Sequence, residues 1–253
     1  MKILLTNDDG IFADGIRILA EILSEHHAVT VVAPDGECSG TSHSLSIFSK
    51  LTYKKCEYSR GIEAYSVKGT PSDCVKFATK VLLDAAPDLV ISGINNLPNL
   101  GTDVIYSGTV NAALEGAICG IRSIALSVLF ERGGDYEYVS HFVLKNLEKL
   151  YSILRPETAF NINFPSGDPT KLSGMRFSSL GVRLFDDEYI VREHGEELHY
   201  FLTGEPIKTP ENPEDCDVEL HEEQYVTITP LHIQMTDFTA LKRLREYPNG
   251  VEL

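Results

Sequence analysis

Basic residues are scarce in this chain. Its 22 lysines and arginines stand against 37 aspartates and glutamates, a formal net charge of -15 over 253 residues. That balance excludes a protein that grips long DNA or RNA through the phosphate backbone, which takes a basic patch. A small anionic substrate remains open where a bound cation or a helix N-terminus supplies local positive charge. Paired cysteines are missing too. Cys38, Cys56, Cys74, Cys119 and Cys216 are odd in number and no two have metal-ligand spacing, which argues against a disulfide framework and a zinc site. No apolar run approaches the roughly 20 residues of a membrane span. The N-terminus carries no signal-like stretch either, because Leu5 gives way at once to polar residues. The expectation is a cytoplasmic protein with neither membrane nor long nucleic acid as partner.

What the chain does have is an ordinary globular composition, 43% hydrophobic, and length enough for a full core. Short apolar runs at residues 3–5, 29–33, 89–92, 124–128 and 160–164 read as buried parallel strands. Helical stretches at 15–24, 72–84, 109–119 and 138–154 lie between them. The alternation predicts an α/β fold over residues 1–170: a Rossmann-like, mostly parallel sheet with helices on both faces. From 171 to 253 the chain turns acidic and turn-rich, with Pro206, Pro210 and Pro213 close together. Runs at 198–202 and 225–229 read as antiparallel hairpins, 237–247 as a terminal helix, and 211–223 as a solvated acidic loop. Such an extension is marginal alone. It is expected to pack on the sheet or on a second copy, as a dimer or tetramer with exchange between subunits. Truncation after about Gly204 is the corresponding test.

The first apolar run ends in Thr6-Asn7-Asp8-Asp9-Gly10. Ligands of open α/β sheets bind outside the carboxyl ends of the strands, and adjacent carboxylates are tolerated where a hard cation sits between them. A solvated Asp-Gly turn is the plain alternative. Three more polar segments follow predicted strand ends. One holds Cys38, Ser39, Thr41, Ser42 and His43; a second holds Asn95, Asn96 and Asn99; the third, Tyr106-Ser107-Gly108-Thr109-Val110, opens an alanine-rich helix. Free N–H groups at that helix start form an anion site, or Ser107 or Thr109 simply caps it. The same choice applies to Thr70 and Ser72 in Gly69-Thr70-Pro71-Ser72-Asp73.

Two carboxylates, a hydroxyl and an amide oxygen form a hard ligand set for Mg²⁺, Mn²⁺ or Ca²⁺. An open position on such an ion binds a phosphoryl oxygen and lowers the pKa of a water, which fits phosphate ester hydrolysis. A dinucleotide fingerprint is missing after the first run. Dehalogenase-type phosphatases separate their two aspartates by one residue, whereas Asp8 and Asp9 are adjacent. Cys38 with His43 invites a cysteine-hydrolase reading, but no third residue orients such a pair. A non-catalytic nucleotide-binding or oligomeric scaffold protein is the alternative to an enzyme.

These motifs, with Ala33-Pro34, Ser92-Gly93-Ile94-Asn95, Pro98-Asn99-Leu100-Gly101, Glu115-Gly116 and Thr229-Pro230-Leu231-His232, resemble the SurE family of stationary-phase survival nucleotidases over essentially the whole chain. The resemblance implies a metal-dependent phosphatase acting on nucleoside 5′- and 3′-monophosphates, with one divalent cation per subunit and a swapped C-terminal segment. It implies metal ligation by Asp8, Asp9, Ser39 and Asn95. On that basis Asp8 serves as proton acceptor or nucleophile, Asp9 joins it at the catalytic centre, and Asn99, Ser107, Gly108 and Thr109 contact the phosphate. His43 contacts the phosphate or protonates the leaving group, or is simply hydrogen-bonded to the loop. The family usually has glycine where this chain has Leu97, and a side chain there narrows the pocket. His232 is expected to serve C-terminal packing.

Overall fold

Ile3 and Leu5 point to one side of the first strand and Leu4 to the other, and all three are buried. A strand covered on both faces requires this. The computed structural model describes residues 1–131, 135–194, 197–207, 209 and 211–246. After β1 (Lys2–Thr6) the chain runs through α1 (Asp14–Leu23), β2 (Ala28–Pro34), β3 (Thr52–Cys56), β4 (Glu63–Lys68), α2 (Pro71–Phe77) and β5 (Leu89–Asn95). It continues as α3 (Gly108–Ile118), β6 (Arg122–Val128), α4 (Asp135–Ile153), β7 (Thr158–Phe164), β8 (Gly174–Phe177) and β9 (Leu184–Phe185). The last elements are β10 (Glu188–His194), β11 (Glu197–Thr203), β12 (Pro206–Ile207), α5 (Asp217–Glu222), β13 (Tyr225–His232) and α6 (Phe238–Arg245).

Nine strands form one sheet in the order β3-β4-β2-β1-β5-β6-β7-β13-β8. From β4 to β7 every neighbouring pair is parallel. After β1 the chain builds outward on one side, then returns to lay β5 against the other side of β1. β1 and β5 therefore flank the point where strand order reverses, the place where sheets of this kind leave a crevice. α1 and α4 cover the face that carries Ile3, Leu5 and Ile91, while α2 and α3 cover the face that carries Leu4, Val32 and Val90. α2 begins in a capping box: Thr70 accepts from the Asp73 N–H at 3.1 Å and Asp73 accepts from the Thr70 N–H at 2.9 Å. Its continuation, Ala78–Leu82, is wound as a π-turn.

The five predicted strands and four helices of the sheet are all present, their ends displaced by a few residues. Three features differ from the sequence reading. β3 and β4 carry no apolar run, because β3 is an exposed edge strand with two lysines that pairs antiparallel with β4. Residues 225–229 form no hairpin: they belong to β13, which inserts between β7 and β8, antiparallel to the first and parallel to the second. Truncation after Gly204 would thus remove a strand of the sheet along with the extension. Finally, 211–223 is no solvated loop, since it contains α5 with Cys216, Asp217 and Leu220 buried. The run at 198–202 does lie in a hairpin, β10–β11, separate from the sheet and exposed along both strands. α6 matches the expected terminal helix. Tyr247 and Pro210 lie outside the described residues. Among the described residues no helix is long and apolar enough to cross a membrane.

Candidate active site

β1 ends at Thr6, and the next turn buries Asp8 while leaving Asp9 half-buried. Gly10 takes φ +100°, a left-handed conformation that disfavours any side chain, and so turns the chain away after the acidic pair. The N-terminus of α3 comes directly against Asp8. The Thr109 hydroxyl donates to Oδ1 of Asp8, and its backbone N–H also bonds the carboxylate. The approach is so close that a Cβ on Gly108 would lie 2.9 Å from the Asp8 Cβ and 3.1 Å from its Oδ2. Only glycine lets the helix end and the carboxylate meet in this way.

Burial pushes the Asp8 carboxyl above the ordinary range, and the Thr109 hydrogen bonds offset this only in part. Asp9 is raised to about 6, by burial first and then by Asp8 and Glu37. Asp8 and Glu37 thus raise Asp9, and Glu37 adds to the rise at Asp8, an electrostatic arrangement that a divalent cation would relieve. Ser39 donates to Oε1 of Glu37 at 3.0 Å, which leaves its oxygen lone pairs free. Asn95, at the end of β5, donates through Nδ2 to the Leu97 carbonyl at 2.6 Å, so its amide oxygen is left as an acceptor. Among the described residues no three His, Cys, Asp or Glu side chains gather into a metal-binding group. Of the four expected ligands the structure brings Asp8, Ser39 and Asn95 to one cavity, while Asp9, beside Asp8 in the turn, is not among its lining residues. A carboxylate with a hydroxyl and an amide oxygen is a hard donor set.

Asp8, Ser39, Asn95, Asn99 and Ser107 line one cavity of about 620 Å³ beside the β1–β5 switch point. Asn99 is fixed on several sides. Its N–H donates to Oδ1 of Asn163 at 2.7 Å, its carbonyl accepts from Asn161 at 2.8 Å and Asn163 at 3.1 Å, and its Nδ2 donates to Ser127 at 2.9 Å. Ser107 caps α3 by accepting from the Val110 N–H at 3.1 Å. Two expected phosphate contacts have other partners: Thr109 is turned to Asp8, and Nε2 of His43 lies 2.8 Å from Oε2 of Glu115. Thr70, offered two roles by the sequence, caps α2 and donates to the Ser44 carbonyl at 2.7 Å. His232 ends β13 opposite Thr158, at the edge of the sheet away from the cavity.

The far wall was not foreseen. Val182, Arg183, Phe185, Ile207, Val218 and His221 all line the cavity and all come from the C-terminal extension. Arg183 is paired with Asp103 at 2.7 Å and lies over the Phe185 ring. Asp217 staples this wall to the asparagine loop, accepting from the Gly101 N–H at 2.9 Å and the Gly181 N–H at 2.8 Å. Leu97, 60% exposed, stands on the near wall, where it takes up space at the cavity. The sequence feature that could have shown part of this architecture is the pair of asparagines at 161 and 163 inside a buried strand.

Burial lowers the His221 imidazole to about 4, with Arg183 adding to the effect, and its Nε2 has no partner. An unfolded histidine near 6.5 takes up a proton that the folded ring refuses. On this group alone, acidification from about 6.5 to 4 therefore costs stability, up to ~3 kcal/mol. Asp9 works in the opposite direction over an overlapping range, because its raised carboxyl binds a proton in the folded state first. The His221 ring itself is the clean reporter. In an NMR titration of metal-free protein its midpoint is expected near 4, and a midpoint at 6.5 would mean the ring is solvated.

The fold and cleft together define an α/β protein with a mostly parallel sheet and a polar-lined cavity where its strand order reverses. The chain belongs to the SurE family. A profile described as "Survival protein SurE" matches residues 3–187. The chain is 41% identical over 254 residues to "5'-nucleotidase SurE" of Pseudothermotoga lettingae, with 100% of this chain and 96% of that protein covered. It is 40% identical to the protein of the same name from Alkaliphilus metalliredigens, with 97% and 98% covered. Among solved structures, that of "Sure Protein from Aquifex aeolicus" superposes with a TM-score of 0.81 at 33% identity, with 97% and 99% covered.

Proposed function

We propose that this chain is a 5′-nucleotidase: a divalent-metal-dependent phosphatase that hydrolyses nucleoside 5′-monophosphates, and 3′-monophosphates, to nucleoside and phosphate. The observation that carries the reading is the meeting of Asp8, Ser39, Asn95, Asn99 and Ser107 on one cavity at the strand-order reversal. The names of the relatives, "5'-nucleotidase SurE", support the same activity. A cavity of about 620 Å³ is within the range of small-molecule sites, roughly 300–1,000 Å³.

Asp8, Asp9, Ser39 and Asn95 would hold Mg²⁺ or Mn²⁺, and Ca²⁺ satisfies the same oxygens. The bound cation supplies Lewis-acid polarisation of a phosphoryl oxygen and a lowered pKa for water. Asp8 accepts the proton of the attacking water, a role suited to a buried carboxyl raised above its ordinary range, and Thr109 holds that carboxyl in place. The Ser107 hydroxyl and the Gly108 N–H stabilise charge on the phosphoryl oxygens, and the second Nδ2 hydrogen of Asn99 orients one of them. The apolar far wall, Phe185 and Ile207 among it, receives the nucleoside. The test is phosphate release from a panel of nucleoside monophosphates, with EDTA and with Mn²⁺ or Mg²⁺ added back. Metal-restored hydrolysis supports the reading; no hydrolysis by folded protein with any metal favours a scaffold. Five cysteines, none of them paired, suit the reducing cytoplasm.

The protein is further proposed to self-associate as a dimer or tetramer. β10 and β11 expose Tyr189, Ile190, Tyr200, Phe201 and Leu202, and a two-stranded ribbon with such side chains in water is marginal alone. Excising residues 188–203 leaves β13 in the sheet. The excision is expected to lower the mass measured by light scattering to that of a smaller assembly. An unchanged mass would remove the hairpin from the contact.

A further inference from the structure

Glu115 is buried in α3, its side chain only 2% exposed, and the reaction as derived does not use it. Its two oxygens are divided between partners: Oε1 takes the Lys76 ammonium from α2 and the Cys119 thiol at 3.9 Å, and Oε2 lies 2.8 Å from Nε2 of His43. Burial pushes this carboxyl up, but the bonds from His43 and Lys76 outweigh it and hold it below its ordinary range. His43 belongs to the irregular segment 36–50, four positions after Ser39. Other ties of that segment run to backbone or to the α2 cap: the Cys38 N–H to the Asp8 carbonyl at 2.7 Å, Ser42 Oγ to the Ile105 carbonyl at 2.7 Å, and the Ser46 N–H to Asp73 at 3.0 Å. The Ser46 and His43 contacts both reach a buried carboxylate in a helix, but the His43 contact is made by a side chain and reaches α3, the helix that also meets Asp8.

α3 makes that contact informative. Gly108 and Glu115 are seven positions apart in one helix, hence on the same face and roughly 10 Å apart along the axis. Gly108 touches Asp8, and Glu115 holds His43. One rigid helix face therefore fixes both the acidic turn after β1 and the loop that carries Ser39 to the cavity.

We propose that Glu115 is a positioning residue that, through His43, sets the distance between Ser39 and the Asp8–Asp9 turn and so completes the cation site. The proposal rests on the metal-dependent reading above. His43 acts here as an anchor: it is absent from the cavity lining, and its Nε2 is spent on Glu115.

The test measures Mn²⁺ binding by titration calorimetry, together with the rate of proteinase K cleavage within 36–50 followed by mass spectrometry. His43→Ala is expected to weaken Mn²⁺ binding about tenfold or more, as loss of an orienting partner does at metal sites. Glu115→Ala should match it and still fold, because Lys76 is 43% exposed and can turn to water. The double variant should be no worse than either single one, since both break one contact. His43→Gln should restore binding to within about threefold, because an amide can donate the same bond. Cleavage in 36–50 should quicken severalfold in both alanine variants. Mn²⁺ affinity unchanged in His43→Ala, effects that multiply in the double variant, or a His43→Gln protein as weak as His43→Ala would each overturn the proposal. A wild-type protein that binds no Mn²⁺ would sink the metal reading and with it the role of the anchor at the cation site. The protease rates would then decide separately whether the anchor holds the loop.

Discussion

Asp8→Asn is expected to lower phosphate release by on the order of 10³-fold at saturating Mn²⁺ while the protein stays folded. The substitution keeps the shape of a side chain buried between β1 and α3. In the proposed reaction it removes the charge that would meet the cation and the oxygen that would accept the proton. It also places an NH₂ where the Thr109 hydroxyl and N–H both donate, so either the amide turns or one of those bonds is lost. Asp9→Asn removes charge without disturbing Thr109 and should act mainly on metal affinity. Comparing the two across a Mn²⁺ titration separates the roles: a defect that more metal rescues belongs to ligation, and one that persists belongs to proton transfer. Near-normal turnover by Asp8→Asn at saturating metal would remove its catalytic assignment.

The second large effect lies far from Asp8 in sequence. Asp217→Ala is expected to destabilise the protein by about 2–4 kcal/mol in urea unfolding at pH 7, because it leaves the buried Gly101 and Gly181 N–H groups without acceptors. The burial that raises the Asp217 carboxyl is relieved by the same change and keeps the loss from being larger. Since Asp217 joins α5 to the loop carrying Asn95 and Asn99, the KM for a nucleoside monophosphate should rise along with the loss of stability. A variant with the wild-type urea midpoint would show that water satisfies both N–H groups.

Much of this architecture is legible in the sequence. Strand-helix alternation up to residue 164 gives the parallel sheet, because each buried strand is a short apolar run and each crossover is long enough for a helix. The acidic turn, the asparagine loop and the start of α3 are legible for a related reason. Polar residues at the carboxyl ends of buried strands have few structural uses, and Asp8, Asn95 and Ser107 do converge. The C-terminal third resists reading because its partners are distant in sequence. β13 has the period of any half-buried strand, and nothing within 225–232 announces that it pairs with β7. Asp217 looks like one acid among many until Gly101, 116 positions away, is seen to donate to it. The roles of Thr109 and His43 were hidden likewise, since a hydroxyl at a helix start suits a cap, a phosphate or a carboxylate equally well.

The late arrival of β13 bears on how the protein is made. Until residues 225–232 leave the ribosome, β7 is the last strand of a nearly complete parallel sheet, and its edge stands open. β8, synthesised some fifty residues earlier, does not pair with β7 in the finished sheet, where its neighbour is β13 itself. A nascent chain stalled in this interval presents a row of unpaired backbone groups to any other strand nearby. The closing strand and the wall bearing His221 emerge within the same stretch of translation, so the window of aggregation ends at about the moment the cleft becomes whole.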